Sequence, residues 1–446
     1  MSELRIFGAG DGQVTGSASE LTTNGGGHIL IDFGMSQGEG GDDRRNRTLN
    51  GLDPSKLDAI VVTHGHLDHV GKLPLLAYNS SAPIYMTPAT HELAQITLKN
   101  SAQLSPWLYP NGSVDALLKR ITPVPYDSLV NVDHASVTFR DAGHILGSSI
   151  VEIQEKGGDR IVFSGDLGNT PSRIVKPTKL IDGADVVVME TTYGDRNHSE
   201  DSPVDVIKDA VESIKKNKGT LLIPTFAIDR TQVVLNILKE LSNQGTLKNV
   251  SVFLDTPMGS KVTDVYDSHH HLLSDGANER KDPFGFPQLT RVNSNKESDA
   301  IHYRSGAKVI ISAAGMMAGG RVLKHAEHYL QDENSVLLLV GYAAEDTPAR
   351  RIMEGEKELM VDEYHILVKG KVISTSSMSA HADQSQLLDW LRVPRVGTKR
   401  LRSVVLVHGN NAAREAFADK VRTELEIDDV ITPKNGEVID FSQNAR

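Results

Sequence analysis

The segment Thr63–Gly71, with sequence THGHLDHVG, constrains this chain more than any other stretch. The largely apolar run Leu57–Val62 leads into it, and Val70–Leu76 can begin a helix after it. The pattern therefore predicts a strand, a tight loop and a helix. Ligands of open α/β proteins bind beyond the carboxyl ends of the strands, so this loop is where a site is expected.

The loop carries side chains that bind metals. Imidazole and carboxylate are ligands that zinc prefers, and three protein ligands with one open position form a typical catalytic site. His64 and His66 lie two residues apart on an extended segment and face the same way, whereas Asp68 and His69 lie around the turn and could serve a second ion. The alternative is a polar loop with chance histidines, but H-x-H-x-D-H after an apolar strand is a specific pattern.

Composition limits the chemistry. The chain has no cysteine, which excludes disulfides, a thiolate nucleophile and cysteine zinc sites, so histidine, aspartate and glutamate must hold any metal. It has no run of about 18 apolar residues and no basic-then-apolar signal pattern at its N-terminus. We therefore expect a cytoplasmic protein without a membrane partner. A length of 446 residues makes two domains the default.

The charge balance gives a weaker constraint. A net charge of −11 argues only weakly against nucleic acid, whose binding depends on lysine and arginine. Acidic metal clusters are offset by their ions, and the clusters Arg44-Arg45-Asn46-Arg47 and Arg350-Arg351 could still follow a phosphate backbone. Solvated surface charge is the simpler interpretation of either cluster alone.

The arrangement of strand and polar residue recurs along the chain. Predicted buried strands near residues 28–31, 136–139, 160–163, 186–189 and 403–407 each run into a side chain that can bind metal or transfer a proton. These side chains are Asp32, His144, Asp166, Glu190 and His408. We expect them along one edge of a shared sheet sandwich.

The middle of the chain has a different pattern. Strands and helices alternate from about residue 203 to residue 340, which is typical of a separate parallel α/β sheet inserted into the first domain. The sequence therefore predicts a first domain in two parts, 1–194 and 371–446, and an inserted domain at 195–370. It also predicts only two strands before residue 33, a surface loop at 34–52 and an irregular loop at 105–125.

These motifs, in this order, resemble those of a known family. Asp32, the His64–His69 segment, His144 and Asp166 resemble the four motifs of the metallo-β-lactamase fold. Three further residues resemble the added motifs of the β-CASP nucleases, namely Glu190, His381 within SAHAD, and His408. That group includes the cleavage and polyadenylation endonuclease subunit and bacterial and archaeal RNases. The resemblance implies an α/β fold: a metallo-β-lactamase αββα sandwich with an inserted parallel α/β β-CASP cap domain.

The resemblance also implies two zinc sites. The first zinc would be held by His64, His66 and His144. The second would be held by Asp68, His69 and His408, with Asp166 bridging the two ions. Zinc is preferred over manganese for these ligands.

Catalytic roles follow in the same way. Asp32 would orient a ligand imidazole, and Glu190 with His381 would form an acid/base pair beside the metals. Together with Asp68, these residues are the catalytic candidates.

The inserted domain would hold substrate, which would pass between it and the metal domain. Its segment Ser312–Arg321, SAAGMMAGGR, resembles a family loop with Ala313 where a second serine usually stands. The candidate substrate-binding residues are Ser312, Gly315, Gly319, Gly320 and Arg321. Pro348 and Ala349 also depart from the family pattern, and both departures bear on how RNA ends are held rather than on the metals.

The function implied is a zinc-dependent ribonuclease, endonucleolytic, 5′–3′ exonucleolytic or both. It would act on single-stranded RNA by a two-metal mechanism and leave 5′-phosphate and 3′-hydroxyl ends. A homodimer is compatible with this interpretation, and the sequence does not identify protein partners. The alternatives are a hydrolase of a small thioester or lactone, which would not need the inserted domain, and an inactive RNA-binding subunit, which the complete ligand set disfavours.

Overall fold

A computed structural model of the chain describes residues 2–37, 43–278, 282–341, 343–344, 347–396 and 401–441. The chain divides into two compact units. The first comprises Met1–Asn197 and His381–Arg446, and the second comprises His198–Ala380. Among the described residues, no helix is long and apolar enough to cross a membrane.

The strands, in chain order, are β1 Glu3–Gly8, β2 Ala18–Thr22, β3 His28–Ile31, β4 Ala59–Val61, β5 Ile84–Met86, β6 Ile121–Pro123, β7 Leu129–Val132, β8 Ala135–Asp141, β9 Ser149–Glu155, β10 Arg160–Phe163, β11 Val186–Glu190, β12 Thr220–Pro224, β13 Ser251–Asp255, β14 Leu289–Arg291, β15 Lys308–Ser312, β16 Val336–Val340, β17 Glu358–Val361, β18 Tyr364–Leu367, β19 Lys371–Thr375, β20 Ser403–Val407, β21 Asp429–Ile431 and β22 Val438–Asp440. The α-helices are α1 Asp43–Asn46, α2 Leu67–Val70, α3 Pro88–Leu104, α4 Ser113–Leu118, α5 Pro203–Asn217, α6 Arg230–Asn243, α7 Pro257–Ser268, α8 Asp275–Asn278, α9 Asn295–Ile301, α10 Arg321–Tyr329, α11 Pro348–Met353, α12 Gln384–Val396 and α13 Asn411–Leu425. Short 3₁₀ turns span Pro54–Lys56, Leu73–Leu76, Pro106–Leu108 and His270–Leu272.

The first unit is a four-layer αββα sandwich, which confirms the predicted fold class. One sheet has the strand order β22-β1-β2-β3-β4-β5-β6, and the other has the order β21-β20-β11-β10-β9-β8-β7. Apolar side chains from the facing sides of both sheets form the central core, with Phe139 and Val151 among them. Helices α3 and α4 cover the outer face of the first sheet, and α12 and α13 cover that of the second.

The second unit has its own sheet, with the order β14-β13-β15-β12-β16-β19. Each adjacent pair of strands in it is parallel. Strands of such a sheet are buried on both faces, and the runs of β12, β15 and β16 are buried along their whole length. The inserted parallel α/β unit is therefore as the sequence predicted.

The end of the second unit differs from the expected boundary at 370. Strand β19 pairs in parallel with β16, so Lys371–Thr375 belongs to the sheet of the second unit. That unit ends at Ala380. The sequence predicts that the first domain resumes at about Lys371, but sequence pattern alone does not reveal which sheet a late strand joins.

Two further segments differ from the sequence prediction. Strand β2 lies between β1 and β3 and pairs antiparallel with both, although ASELT lacks the apolar run of a typical strand. Its partners, rather than its own propensity, stabilise it. The segment 105–125, predicted as irregular, contains helix α4 and strand β6. Part of the predicted loop at 34–52 lies outside the described residues.

The central core of the first unit generates a stability prediction. Phe139 is fully buried between the two sheets, so replacing it with alanine removes a large apolar contact surface and leaves a cavity. We expect Phe139→Ala to lower the free energy of unfolding by about 3–5 kcal/mol. Val438→Ala at a largely exposed position should change it by less than about 0.5 kcal/mol. Urea unfolding of both variants tests this, and equal stability would contradict the assigned core.

Candidate metal centre

The predicted strand ends meet at one place in the first unit. Strands β3 and β4 are parallel neighbours, as are β10 with β11 and β11 with β20. Strand β9 is antiparallel to both β8 and β10, so β8 and β10 end at the same edge. The ends of these strands and the loops after them carry most of the side chains that form clusters of potential metal ligands, and His381, shortly before helix α12, joins one of the clusters. The clusters are His64, His66, His144 and Asp166; Asp68, His69 and His408; and Asp166, Glu190 and His381.

The first donor group contains three imidazoles and a carboxylate. The Nδ1 atom of His66 lies 3.1 Å from Nε2 of His64 and 3.3 Å from Nε2 of His144. Oδ2 of Asp166 lies 3.4 Å from Nε2 of His64 and 3.6 Å from Nε2 of His144. Four donor atoms thus converge on one point.

The second donor group lies on the other side of Asp166. Nε2 of His69 is 3.4 Å from Nε2 of His408 and 3.3 Å from Oδ1 of Asp166. Oδ2 of Asp68 is 3.4 Å from Nε2 of His408. The two oxygens of Asp166 therefore face different donor groups.

These distances fit a metal ion. Two ligands about 2.1 Å from a zinc ion at the tetrahedral angle are separated by about 3.4 Å, and the separations in both groups lie near this value. Asp166 is 2% exposed, and its Oδ1 accepts no hydrogen bond from the described residues. A buried carboxylate oxygen without a hydrogen bond calls for another partner, and a cation supplies one.

Electrostatics favour the metal-binding form, which is neutral imidazole or ionised carboxylate, at His64, His66 and Asp166. At His69, burial would lower the pKa, but the carboxylates of Asp166 and Asp32 outweigh this effect and raise the pKa well above its usual range. Burial, with the nearby His69 charge, holds the pKa of His64 well below its usual range. Burial also lowers the pKa of His66 to about 4, although Asp68 and Asp166 oppose the shift. Burial would raise the pKa of Asp166, but the charges of His408 and His69 outweigh it and hold that pKa well below its usual range.

Asp32 supports His69 from behind. Its Oδ2 lies 2.8 Å from Nδ1 of His69, which places the ring proton on Nδ1 and leaves Nε2 for a metal. The backbone N–H and the hydroxyl of Thr63 donate to the Asp32 carboxylate at 2.8 and 2.7 Å. Asp32 has a φ of +57°, a conformation that aspartate and asparagine tolerate better than most residues.

His381 and Glu190 form a pair beside the first donor group. Oε1 of Glu190 lies 3.1 Å from Nδ1 of His381 and also accepts from the backbone N–H of Leu167 at 2.7 Å. Burial alone would lower the pKa of His381, but Glu190 and other carboxylates raise it to about 9. The rings of His381 and His144 are 4.5 Å apart. The arrangement can deliver a proton next to the metal ligands.

The candidate substrate-binding residues belong to the second unit, whereas the donor groups belong to the first unit. The hydroxyl of Ser312 is buried and donates to the backbone carbonyl of Asp255 at 3.0 Å. Arg321 donates to the carboxylate of Asp255 at 2.6 Å and to Asn295 at 2.8 Å. Gly319 and Gly320 precede helix α10 with positive φ values of 155° and 78°.

Sequence reasoning did not identify several supporting hydroxyls. The hydroxyl of Thr63 contacts both Asp32 and Nδ1 of His64, the latter at 3.1 Å. The hydroxyl of Thr192 lies 3.1 Å from Nδ1 of His408. The only indication in the sequence is that Thr63 precedes His64 and that Thr192 lies two residues after Glu190, since threonines are common and their bonds depend on the fold.

Comparisons with known proteins agree with this architecture. Residues 12–224 match the metallo-β-lactamase superfamily, residues 231–352 the β-CASP domain, and residues 365–433 the Zn-dependent metallo-hydrolase RNA specificity domain. The match to the first family, together with the histidine and aspartate cluster, implies a divalent metal at this centre.

Similar proteins include several ribonucleases. Ribonuclease TTHA0252 of Thermus thermophilus is 34% identical over 413 residues, which cover 90% of this chain and 92% of that protein. RNase aCSPSF2 of Saccharolobus solfataricus is 32% identical over 98% of this chain and 85% of its own length. An RNase J-like protein of Methanocaldococcus jannaschii is 30% identical, covering 95% of this chain and 96% of that protein.

A solved structure of a protein of unknown function from Enterococcus faecalis V583 is similar in fold alone. The TM-score is 0.58 at 12% identity, with 98% of this chain and 99% of that chain covered.

The hydrogen bonds of Asp32 generate a prediction about metal affinity. Asp32→Asn keeps the size and backbone tolerance of the residue but removes the negative charge that orients His69. We expect metal affinity to fall about 10–100-fold, measured by competition with a chromophoric chelator. Asp133→Asn, at an exposed carboxylate, is the matched control. Equal affinity in both variants would show that Asp32 does not support the metal centre.

Proposed function

Because this chain belongs to the β-CASP family of metallo-β-lactamase-fold ribonucleases, we propose that it hydrolyses single-stranded RNA with two zinc ions. The observation that carries the two-ion proposal is the position of Asp166, whose two oxygens face separate donor groups. Cleavage would leave a 5′-phosphate and a 3′-hydroxyl.

In this proposal each donor group holds one ion. His64, His66 and His144 bind the first, and Asp68, His69 and His408 bind the second, while Asp166 serves both. When bound, the ions supply Lewis acidity that makes water nucleophilic near neutral pH and that balances charge on the scissile phosphate. The donor distances support this assignment, as does Oδ1 of Asp166, which accepts no hydrogen bond from the described residues.

We assign proton transfer to His381. Its Nδ1 is held by Glu190, so Nε2 is the atom that donates a proton to the departing 3′ oxygen. A pKa raised to about 9 by Glu190 and neighbouring carboxylates, against the effect of burial, supports a protonated ring that can act as the acid. Glu190 orients the ring, and its own position is supported by the bonds from Leu167 and Thr192.

We also propose that the second unit holds phosphates of the RNA. The hydroxyl of Ser312 and the two terminal nitrogens of Arg321 already have partners within that unit, so we assign the contact to backbone N–H groups of Gly315, Gly319 and Gly320. Backbone amides before a helix bind anions in this way, and helix α10 follows these glycines.

The activity and its products test the proposal directly. Purified protein is incubated with single-stranded RNA labelled at the 5′ or the 3′ end, with and without chelator. We expect cleavage that the chelator abolishes and zinc restores, and products with 5′-phosphate and 3′-hydroxyl ends. A 2′,3′-cyclic phosphate product would contradict the mechanism, and unchanged activity in chelator would contradict the metal requirement. The position of the labelled fragments distinguishes internal cleavage from trimming at an end.

A pair of variants separates metal binding from proton transfer. His381→Ala should keep both ions and lose turnover by about 10²–10⁴-fold, because it removes only the acid. His408→Ala should lose or weaken the second ion, because it removes a ligand. His91→Ala, in helix α3 outside the donor groups, is the control for replacing a histidine. Elemental analysis measures the bound metal of each variant, and initial rates measure its turnover. Equal metal loss in His381→Ala and His408→Ala would mean that the roles of these two residues are assigned wrongly.

A further inference from the structure

A cavity in the first unit has the chemistry of an anion site. Its volume is about 190 Å³, whereas a cavity of roughly 10–15 Å³ on the same measure holds one water molecule. Among the described residues that line it there are two cations and no carboxylate. The polar side chains of the lining are Gln13, Ser36, Arg45, Asn50, Lys72 and Asn435.

Lys72 is the unusual member of this lining. It is only 2% exposed, and within the described part of the chain its ammonium has neither a hydrogen bond nor an ion pair with a carboxylate. Its Nζ lies 4.6 Å from the centre of the Phe33 ring. Lysine is rarely buried this fully unless it is paired, because an unpaired buried charge is costly.

The surroundings of Lys72 leave its charge unbalanced. Burial, with a contribution from the nearby charge of Arg45, lowers the pKa of Lys72 to about 8. Arg45 is itself exposed at the cavity, and the side chain of its neighbour Arg44 lies outside the described residues. A bound anion would balance both cations, whereas the lining itself offers neutral amides and a hydroxyl.

The same cavity shares a wall with the metal centre. Gly34 lines it and packs so closely on the ligand loop that a Cβ there would lie 1.5 Å from the carbonyl oxygen of Asp68. Ser17, between the lining residues Gly16 and Ala18, has its hydroxyl 3.4 Å from Nε2 of His69. An anion in the cavity would therefore lie one layer of residues from the proposed ligands.

We propose that this cavity is a phosphate-binding subsite in which Lys72 and Arg45 hold a phosphate of the RNA strand near the one that is cleaved. The identification of RNA as the source of the phosphate rests on the proposed function. Inorganic phosphate and mononucleotides carry the same chemical group, so the experiment below distinguishes them from RNA. The contact is to the backbone, so it is independent of base sequence.

The test compares three variants of the metal-loaded protein. Lys72→Met removes the charge and keeps the unbranched side chain over Phe33. Arg45→Gln removes the second cation at an exposed position, where a folding defect is not expected. Lys119→Met, at an exposed position outside the cavity, changes net charge equally and is the matched control. Thermal unfolding should show that Lys72→Met is no less stable than the control, because methionine removes an unpaired buried charge.

RNA binding is measured by fluorescence anisotropy in a His381→Ala background, over a range of salt concentrations. We expect Lys72→Met to weaken binding on the order of tenfold for RNAs of different sequence. The slope of log affinity against log salt should decrease by about 0.7, the value for one phosphate contact on a single strand. Arg45→Gln should also weaken RNA binding and reduce the salt dependence, whereas Lys119→Met should leave both unchanged.

The source of the phosphate is tested by ³¹P NMR titration of inorganic phosphate and of AMP with the His381-containing protein and the same variants. Binding that Lys72→Met abolishes, while RNA affinity stays unchanged, would support the subsite with a small ligand as its occupant. If the parent protein neither binds nor cleaves RNA but still binds phosphate through Lys72, the proposed function fails and the subsite stands. If Lys72→Met and Arg45→Gln match Lys119→Met with RNA, phosphate and AMP, the subsite is wrong.

Discussion

The buried carboxylate of Asp166 is the constraint on which the metal-binding unit depends. An ionised group away from water is costly unless opposite charge or hydrogen bonds surround it. Here, histidine nitrogens approach one oxygen at 3.4 Å and the other at 3.3 Å, and Oδ1 accepts no hydrogen bond from the described residues. In the proposed two-ion site, cations on both sides would balance this charge.

The fold brings these groups together because parallel strands end at the same edge of a sheet. The first candidate ligands come from the loop after β4, whereas His408 follows β20, which enters the sequence only after the second unit. Strand β20 pairs with β11 at five consecutive residues, and that pairing places His408 opposite His69. The metal centre is therefore a product of the whole first unit, although most of its ligands lie in one short segment.

Much of this organisation could be predicted from the sequence. The apolar strands that end in His or Asp identified the donor residues that the structure brings together, and the alternation of strands and helices identified the inserted sheet. Pairing partners were harder to predict: β2 lacks an apolar run and is stabilised by its neighbours, and β19 joins the sheet of the second unit rather than the first unit. Lys72 was not identified, because a lysine after a histidine motif is usually solvent-exposed and only its burial in the fold makes it unusual.

We propose that the two oxygens of Asp166 serve two metal ions. Crystals of the protein grown with zinc, measured at energies above and below the zinc absorption edge, test this proposal. We expect two anomalous peaks, one within the group of His64, His66 and His144 and one within the group of Asp68, His69 and His408, with the Asp166 carboxylate between them. A single peak at full occupancy, or peaks outside these groups, would contradict the account.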